Sequence, residues 1–233
     1  MNIAAVVAGG FGTRMGDTMP KQFLPLCGRP IIFYCLSAFL EYKDIDFVIV
    51  GVNPDYISLV ERYKSLYFHN TPRIIITAGG TDRNETLMNI LHTARKTVQA
   101  DENTVIVSHD AARPFISKKM IDDVIKGLSC CDTACASVPS VDTTVITKNG
   151  NIAAFPRRSD VLLVQTPQSF RLGAFEDACS LLTRNQLMEA TDISSLFFMC
   201  GKTVKFTAGS ENNIKITYPR DLAIAETILR NNQ

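Results

Sequence analysis

Short apolar segments alternate with segments of helical periodicity through the first half of the chain. The apolar segments are continuous and rich in β-branched residues, as buried strands are. They predict strands at residues 3–8, 47–52, 73–77 and 104–108. Helices are predicted at residues 31–42 behind Pro30, within 56–67, at about 85–97, and after a cap at Ser117. This alternation predicts an α/β fold, a mostly parallel sheet with helices on both faces.

The second half of the chain has a different pattern. Residues 143–155 form two β-prone runs joined by Asn149-Gly150, a strong signal for a two-residue hairpin turn. A protruding hairpin is either an edge decoration or a dimerisation arm, and its residues favour neither. The other predicted elements are a strand at 134–138, helices at about 172–182, from Asp192 and from Pro219, and a strand at 204–207.

Candidate ligand-binding residues follow three of the predicted strands. In parallel sheets, ligands bind beyond the carboxyl ends of the strands, so groups at those ends lie on one edge. We therefore expect three pairs of residues to meet there: Gly9-Gly10, Gly79-Gly80 and His109-Asp110.

Composition narrows the class of protein. The chain has 233 residues, 46% of them hydrophobic and 20% charged, which predicts one globular domain. Its net charge of +1 argues against nucleic acid or membrane as partner, and its apolar runs fall short of the roughly 20 residues that span a bilayer. Seven cysteines without metal-binding spacing predict buried, reduced thiols in a cytoplasmic protein.

The first glycine-rich loop allows two interpretations. Its glycines, Gly10, Gly12 and Gly16, approach a dinucleotide-binding fingerprint, but the last spacing is one residue too long and no acidic residue ends the second strand. A triphosphate site fits better, because glycines expose backbone N–H groups to phosphate oxygens. Arg14 and Lys21 then supply two cations beside the loop.

An ordered set of motifs along the whole chain resembles one enzyme family. The motifs are GG-x-GTRM (9–15), PKQFL (20–24), GGTDRNET (79–86), HDAARPF (109–115), VDTT (141–144), QTPQSF (165–170), ATD (190–192) and NNIKIT (212–217). The set is similar to the cytidylyltransferases that make 4-diphosphocytidyl-2-C-methyl-D-erythritol and, in a sister branch, CDP-ribitol. The likeness runs from the first strand to the last helix.

This resemblance implies a Rossmann-like single domain over residues 1–233 with a β-arm at about 141–158. It further implies a homodimer that exchanges these arms, CTP as co-substrate, Mg²⁺ or another divalent cation held mainly by the CTP phosphates, and pyrophosphate as leaving group. No protein ligand for the metal is predicted. The partners are then CTP and an alditol phosphate.

The resemblance also implies roles for individual residues. The nucleotide is expected to contact Ala8, Gly9, Gly10, Gly12, Arg14, Lys21, Gly80, Thr81, Thr86, Ala111 and Ala112. The acceptor is expected to contact Asp110, Arg113, Thr143, Arg158, Thr166, Thr191 and Lys215. Of these, Thr143 and Arg158 lie on or next to the arm and are expected to reach the partner subunit's site.

For some of these residues a structural role is an alternative to ligand binding. Thr191-Asp192 fits a helix N-cap as well as a ligand contact. Lys215 falls in an apolar pattern that predicts a strand at 213–217, where a lysine needs a partner. His109 belongs to a motif, but we assign it no proton transfer.

The expected mechanism follows from charge. A phosphate monoester with a second pKa of about 6 is mostly dianionic at neutral pH, so it needs no general base. Its attack on CTP instead needs cations at the α-phosphorus. We expect Arg14 and Lys21 to stabilise the transition state, and Arg158 and Lys215 to position the acceptor phosphate.

The identity of the acceptor is divided between the two branches. Residues 19–26 and 82–86 look more like the ribitol 5-phosphate branch, whereas 109–114 and 164–168 look more like the methylerythritol branch, which we favour. A protein of another class, a catalytically idle nucleotide-binding protein, would have lost the cationic residues that this chain keeps.

Overall fold

The computed structural model describes residues 1–10 and 19–231. Its strands are β1 (Asn2–Ala8), β2 (Pro25–Leu26), β3 (Arg29–Pro30), β4 (Phe47–Val52), β5 (Ile74–Ala78), β6 (Val105–Asp110), β7 (Thr133–Pro139), β8 (Ile146–Lys148), β9 (Asn151–Ala154), β10 (Leu162–Arg171) and β11 (Val204–Ala208). Its α-helices are α1 (Ile31–Glu41), α2 (Ile57–Phe68), α3 (Arg83–Val98), α4 (Lys118–Gly127), α5 (Leu172–Leu181), α6 (Arg184–Glu189), α7 (Ile193–Met199) and α8 (Pro219–Asn231).

Seven strands of the described chain form one sheet in the order β11-β7-β10-β6-β1-β4-β5. Neighbouring strands are parallel except at β10, which is antiparallel to both β6 and β7. The predicted α/β fold with a mostly parallel sheet is therefore confirmed.

Side-chain alternation along β1 explains why the sheet is covered on both faces. Ala4, Val6 and Ala8 point into a core with residues of α1, α2 and α4, whereas Ile3 and Ala5 point into a second core with α3, α5 and α7. Successive side chains of a strand face opposite sides, so a strand that is apolar throughout needs two layers of helices.

The hairpin prediction is confirmed. Strands β8 and β9 pair antiparallel around Asn149 and Gly150, whose φ angles of 52° and 78° are the positive values that a tight two-residue hairpin turn requires.

Several elements differ from the prediction. The central strand β10 was not predicted, because its segment contains Pro167 and a proline argues against a central strand. Its pairing with β7 shifts register between Val164 and Gln168, so the proline sits where the ladder is interrupted. The strand predicted at 213–217 is wrong: those residues are not in a strand, and Ile216 N–H bonds to the Ala112 carbonyl instead. The short helix α6 also had no sequence prediction.

The cysteine prediction holds only in part. All seven thiols are free, but only Cys35 and Cys135 are buried, whereas Cys27 and Cys130 are exposed. The prediction overestimated the burial of the cysteines because it relied on the apolar runs in which most of them lie. Residues at the ends of strands and helices belong to such runs and still reach the surface. Among the described helices, none has the length and apolar character needed to cross a membrane.

Candidate active site

The three residue pairs predicted to share one edge of the sheet do meet there. Gly9, Gly10 and Asp110 of these pairs line a cavity, here called the first cavity, which the end of β1, the start of α3 and the end of β6 enclose. The approach is close: a Cβ atom on Gly9 would lie 2.5 Å from Thr86 Oγ1 and 3.6 Å from the Gly80 carbonyl oxygen. Glycine at position 9 therefore lets the first loop pack directly against the second.

Hydrogen bonds hold the two glycine loops in place. Thr86 Oγ1 accepts from Gly80 N–H at 3.0 Å and donates to the Asp82 carbonyl at 2.7 Å. Asp82 caps α3 by accepting from Glu85 N–H at 2.8 Å. On the other side, the Gln22 amide donates to the carbonyls of Ala8 at 2.7 Å and Gly10 at 3.1 Å.

The centre of the site is Asp110 at the end of β6, where three cations surround one carboxylate. Lys215 Nζ lies 2.9 Å from Oδ2, Arg83 Nε lies 3.3 Å from Oδ1, and Arg113 Nε lies 3.7 Å from Oδ2. The side chains of Asp110 and Arg113 are each only 12% exposed. The group therefore carries two surplus positive charges at a largely buried position.

These charges determine the ionisation of Asp110. Burial alone would raise the pKa of the carboxyl, but Arg83 and Lys215 outweigh it and hold the pKa well below its ordinary value. The carboxylate is thus charged at any physiological pH, and the cluster keeps its surplus positive charge. Such a cluster stabilises a bound anion.

A second cavity lies next to the first. Its lining includes Arg113, Thr166, Thr191 and Asp192, together with three residues that also line the first cavity: Arg83, Asp110 and Lys215. The cationic cluster therefore forms the wall between the two cavities. Two anions bound on either side would share it.

Comparison with known proteins decides the family. The model of IspD, 2-C-methyl-D-erythritol 4-phosphate cytidylyltransferase, matches residues 2–231. The chain belongs to this family. It is therefore a nucleotidyltransferase, and CTP fits as its co-substrate.

Solved structures agree with this membership. The IspD enzyme of Francisella tularensis is 26% identical with a TM-score of 0.79, and the match covers 97% of this chain and 99% of that one. The enzyme of Thermus thermophilus is 26% identical with a TM-score of 0.74, over 99% and 100% of the two chains. A 4-diphosphocytidyl-2C-methyl-D-erythritol synthase from Anaerococcus prevotii, at 24% identity and a TM-score of 0.83 over 99% and 96%, shows the shared fold.

Most residues that the resemblance assigned to the IspD site lie at the two cavities. The first cavity is lined by Ala8, Gly9, Gly10, Lys21, Thr81, Thr86, Asp110, Ala111, Ala112 and Lys215, and Gly80 adjoins it through its bond to Thr86. The second is lined by Asp110, Arg113, Thr166, Thr191 and Lys215. Thr143 and Arg158 are exposed and line neither cavity, while Gly12 and Arg14 lie outside the described residues.

The residues present fit a metal held through the nucleotide. Within residues 1–10 and 19–231, no group of three or more His, Cys, Asp or Glu side chains could hold an ion by itself. Asp82 and Asp110 are the carboxylates that line the first cavity, and the three cations around Asp110 leave Asp82 for a metal. Mg²⁺ is commonly bound by one or two carboxylates plus substrate phosphates.

Sequence reasoning missed two residues of the site. Arg83 belongs to the quoted motif GGTDRNET, yet it was not selected, because it falls in the loop ahead of the helix predicted at about 85–97, where an arginine is usually exposed. Its position at the start of α3, beyond the second glycine loop, is what directs it to Asp110. Gln22 in PKQFL was also missed. A polar residue between a lysine and a buried phenylalanine was the available signal.

Proposed function

We propose that this cytidylyltransferase transfers CMP from CTP to 2-C-methyl-D-erythritol 4-phosphate. An oxygen of the acceptor phosphate forms a bond to the α-phosphorus of CTP, the bond from that phosphorus to the oxygen bridging to the β-phosphate breaks, and pyrophosphate leaves with the electron pair. The observation that carries the proposal is the cationic wall shared by the two cavities. Two anions must approach each other here, and shared cations lower the cost.

In this proposal the first cavity holds CTP. The loop from Ala8 to Gly10 offers backbone N–H groups, and Lys21 adds a cation on the same cavity. Gly12 and Arg14 complete this loop in sequence. The second glycine loop with Thr81 and Thr86, and the pair Ala111 and Ala112, shape the region for base and ribose. Arg14 and Lys21 then stabilise charge as it develops at the α-phosphorus.

The second cavity holds the acceptor. Lys215 and Arg113 lie at its wall with Asp110, so the acceptor phosphate meets positive charge on the side that faces CTP. Thr166 and Thr191 also line this cavity and supply polar contacts to the alditol chain. A dianionic phosphate needs no proton acceptor, so orientation and charge do the catalytic work.

A divalent cation completes the proposal. Mg²⁺ would be held mainly by the CTP phosphates, with Asp82 as a carboxylate of this cavity that could contact it or its waters. When bound, it supplies positive charge to the triphosphate and the leaving pyrophosphate.

The arm around β8 and β9 supports a homodimer with composite sites. Ile146, Ile152 and Phe155 are 52%, 64% and 63% exposed, and an isolated two-stranded hairpin is marginally stable in water. We propose that these side chains pack on the partner's arm, and that Thr143 and Arg158 reach the partner's acceptor cavity. The rest of residues 1–233 then acts as one domain. Free thiols at all seven cysteines fit a cytoplasmic enzyme.

A substrate panel tests the proposal. Purified protein with CTP and Mg²⁺ is offered 2-C-methyl-D-erythritol 4-phosphate and, separately, D-ribitol 5-phosphate, and pyrophosphate release is measured. We expect turnover with the first. Faster turnover with the second would move the protein to the ribitol branch that residues 19–26 and 82–86 resemble. CTP binding without turnover on either acceptor would indicate an idle nucleotide-binding protein.

A further inference from the structure

His109 is a fully buried titratable residue at the end of β6 that the proposed mechanism does not use. Its ring packs edge-on against Phe39, with ring centroids 5.6 Å apart. One ring nitrogen, Nε2, lies 3.0 Å from the Arg113 carbonyl oxygen, and the other, Nδ1, lies 3.0 Å from Thr166 Oγ1. The histidine thus touches two residues of the acceptor cavity without lining it.

The partners of His109 fix its tautomer. A backbone carbonyl can only accept, so Nε2 must carry the hydrogen that it donates to Arg113. The ring is fully buried and its two nitrogens contact an uncharged carbonyl and an uncharged hydroxyl, so its charged form is disfavoured, the ring is neutral near pH 7 and Nδ1 carries no hydrogen. Nδ1 therefore accepts from the Thr166 hydroxyl.

The direction of that hydroxyl has a consequence for Asp110. Thr166 Oγ1, with its hydrogen committed to His109, accepts from Asp110 N–H at 3.1 Å. The Thr166 carbonyl is held as well, since Asn213 Nδ2 donates to it at 2.8 Å. A continuous chain of hydrogen bonds thus runs from the Arg113 carbonyl through His109 and Thr166 to the backbone of Asp110.

We propose that His109, as the Nε2–H tautomer, is a positioning residue that orients the Thr166 hydroxyl and through it fixes Asp110 at the wall between the cavities. The inference rests on the proposed function in that the second cavity takes the acceptor. It also limits what Thr166 can bind: the remaining lone pair on Oγ1 can accept a hydrogen bond, but the hydroxyl has no hydrogen left to donate. Thr166 would then meet an alcohol group of the acceptor rather than a phosphate oxygen.

Two histidine substitutions separate this role from simple packing. His109→Asn places an amide oxygen near the Nδ1 position, where it can accept from Thr166, whereas His109→Gln places an amide nitrogen near the Nε2 position, where it can donate to Arg113. We expect H109Q to lower kcat/KM for the acceptor by about 10-fold, the effect of one lost hydrogen bond at a buried site, and H109N to stay within about 3-fold. The KM for CTP should change less than about 2-fold in both.

A role in packing alone predicts the opposite order, because glutamine fills more of the buried space than asparagine. Equal or better acceptor kcat/KM in H109Q than in H109N would overturn the proposal. Thr166→Val should lower acceptor kcat/KM at least as much as H109Q, because it also removes the acceptor contact of Oγ1 and the bond from Asp110 N–H. The double variant T166V/H109Q should be no worse than T166V alone, and additive losses would also overturn the proposal.

A measurement on the unsubstituted protein keeps the test independent of folding and of turnover. Nitrogen-15 NMR of the three histidines reports the tautomer of each ring directly. The signals of His109 are those that disappear in H109N. If both His109 variants fail to fold, they are the signals that persist in both His69→Asn and His92→Asn. We expect a neutral ring with Nε2 protonated at pH 7. A charged ring, or a neutral ring with Nδ1 protonated, would overturn the inference. Failure of the substrate panel would overturn the proposed function and leave this result standing.

Discussion

Lys215 Nζ lies 2.9 Å from Asp110 Oδ2, although the two residues come from distant parts of the chain. The segment that carries Lys215 is held by Ile216 N–H on the Ala112 carbonyl and by Arg113 Nη1 on the Asn213 carbonyl at 2.8 Å. Lys215 is therefore presented to both cavities by a fixed backbone, and its side chain remains 41% exposed.

We predict that Lys215→Met lowers kcat/KM for the acceptor by at least about 100-fold, the usual cost of removing one preorganised charge from a site where negative charge develops. Steady-state kinetics with each substrate varied measures this. The control is Lys118→Met, which removes a lysine that is 63% exposed and pairs with Glu41 in an exposed bridge. A Lys215→Met enzyme within a few-fold of the control would remove Lys215 from the chemistry.

The sequence predicted correctly that Lys215 has a partner and wrongly that it lies in a strand. An unpaired lysine among apolar residues is costly, so a partner was expected, and Asp110 is that partner. The predicted strand at 213–217 does not form, because its alternating pattern arises from Ile214 and Ile216. These two side chains pack with Leu26, Ile31 and Ala225 in a small core outside the seven-stranded sheet. Local alternation indicates which side chains are buried but not whether another strand is available to pair.

The parts of the fold and the site that the sequence does not predict depend on tertiary contacts. The glycine loops were predicted from their place after apolar strands, which local sequence shows. The position of Arg83 on Asp110 depends on how α3 leaves the second loop, and β10 depends on an interruption of pairing at Pro167. Neither the contact of Arg83 with Asp110 nor the strand β10 produces a periodic pattern in the local sequence.

We predict that Arg83→Gln raises the KM for the acceptor about 10-fold, because it removes one of three cations from Asp110. Arg83 Nη1 is buried and has no hydrogen-bond partner among the described residues, so this N–H group is left for a bound anion, while Nε and Nη2 bond to Asp110 and Ser108. Arg184→Gln is a matched control, since Arg184 is the first residue of α6 as Arg83 is of α3 and is exposed. Equal KM values in the two variants would contradict the assignment.

We predict that alanine substitution lowers the stability of the protein at one of two neighbouring glycines and hardly changes it at the other. Gly9→Ala should lower the free energy of unfolding by about 1–3 kcal/mol, because the added Cβ would lie 2.5 Å from Thr86 Oγ1, on a buried side chain that holds Gly80 and Asp82. Gly10→Ala should change it by less than about 0.5 kcal/mol, since its Cβ would meet no atom of the described residues within 4 Å. Urea unfolding curves compare the two, and equal losses would contradict the packing argument.

The buried His109 predicts a pH dependence of stability. The pKa of this histidine is about 4 in the folded protein, whereas the ordinary value for a histidine, which applies to the unfolded chain, is about 6.5. Between these values the unfolded chain binds more protons, so the free energy of unfolding falls as the pH is lowered from 6.5 toward 4, by at most about 1.4 kcal/mol per pH unit. His109→Asn should flatten this slope, whereas His69→Asn, at an exposed position with left-handed φ that asparagine tolerates, should not. Identical slopes for both variants would show that folding does not lower the pKa of His109.

The exposed position of Arg158 leads to a test of the composite site. Arg158 begins a short 3₁₀ helix just beyond the arm and lines neither cavity of its own subunit. If the arms exchange across a two-fold axis, each acceptor cavity receives Arg158 from the other chain. A Lys215→Met chain and an Arg158→Ala chain are then each inactive as homodimers, because every site lacks one residue.

Mixed dimers of these two chains should recover activity. The cavity of the Arg158→Ala chain keeps its own Lys215 and receives an intact Arg158 from its partner, so one of the two sites in each mixed dimer is complete. We expect about half the turnover of the unsubstituted dimer from verified heterodimers, measured after dual-tag purification. Heterodimers of Lys215→Met with Lys21→Ala serve as the control, since both residues line the first cavity of one subunit and no complete site can form. Heterodimers of Lys215→Met with Arg158→Ala that stay as inactive as the parents would mean that Arg158 acts within its own subunit.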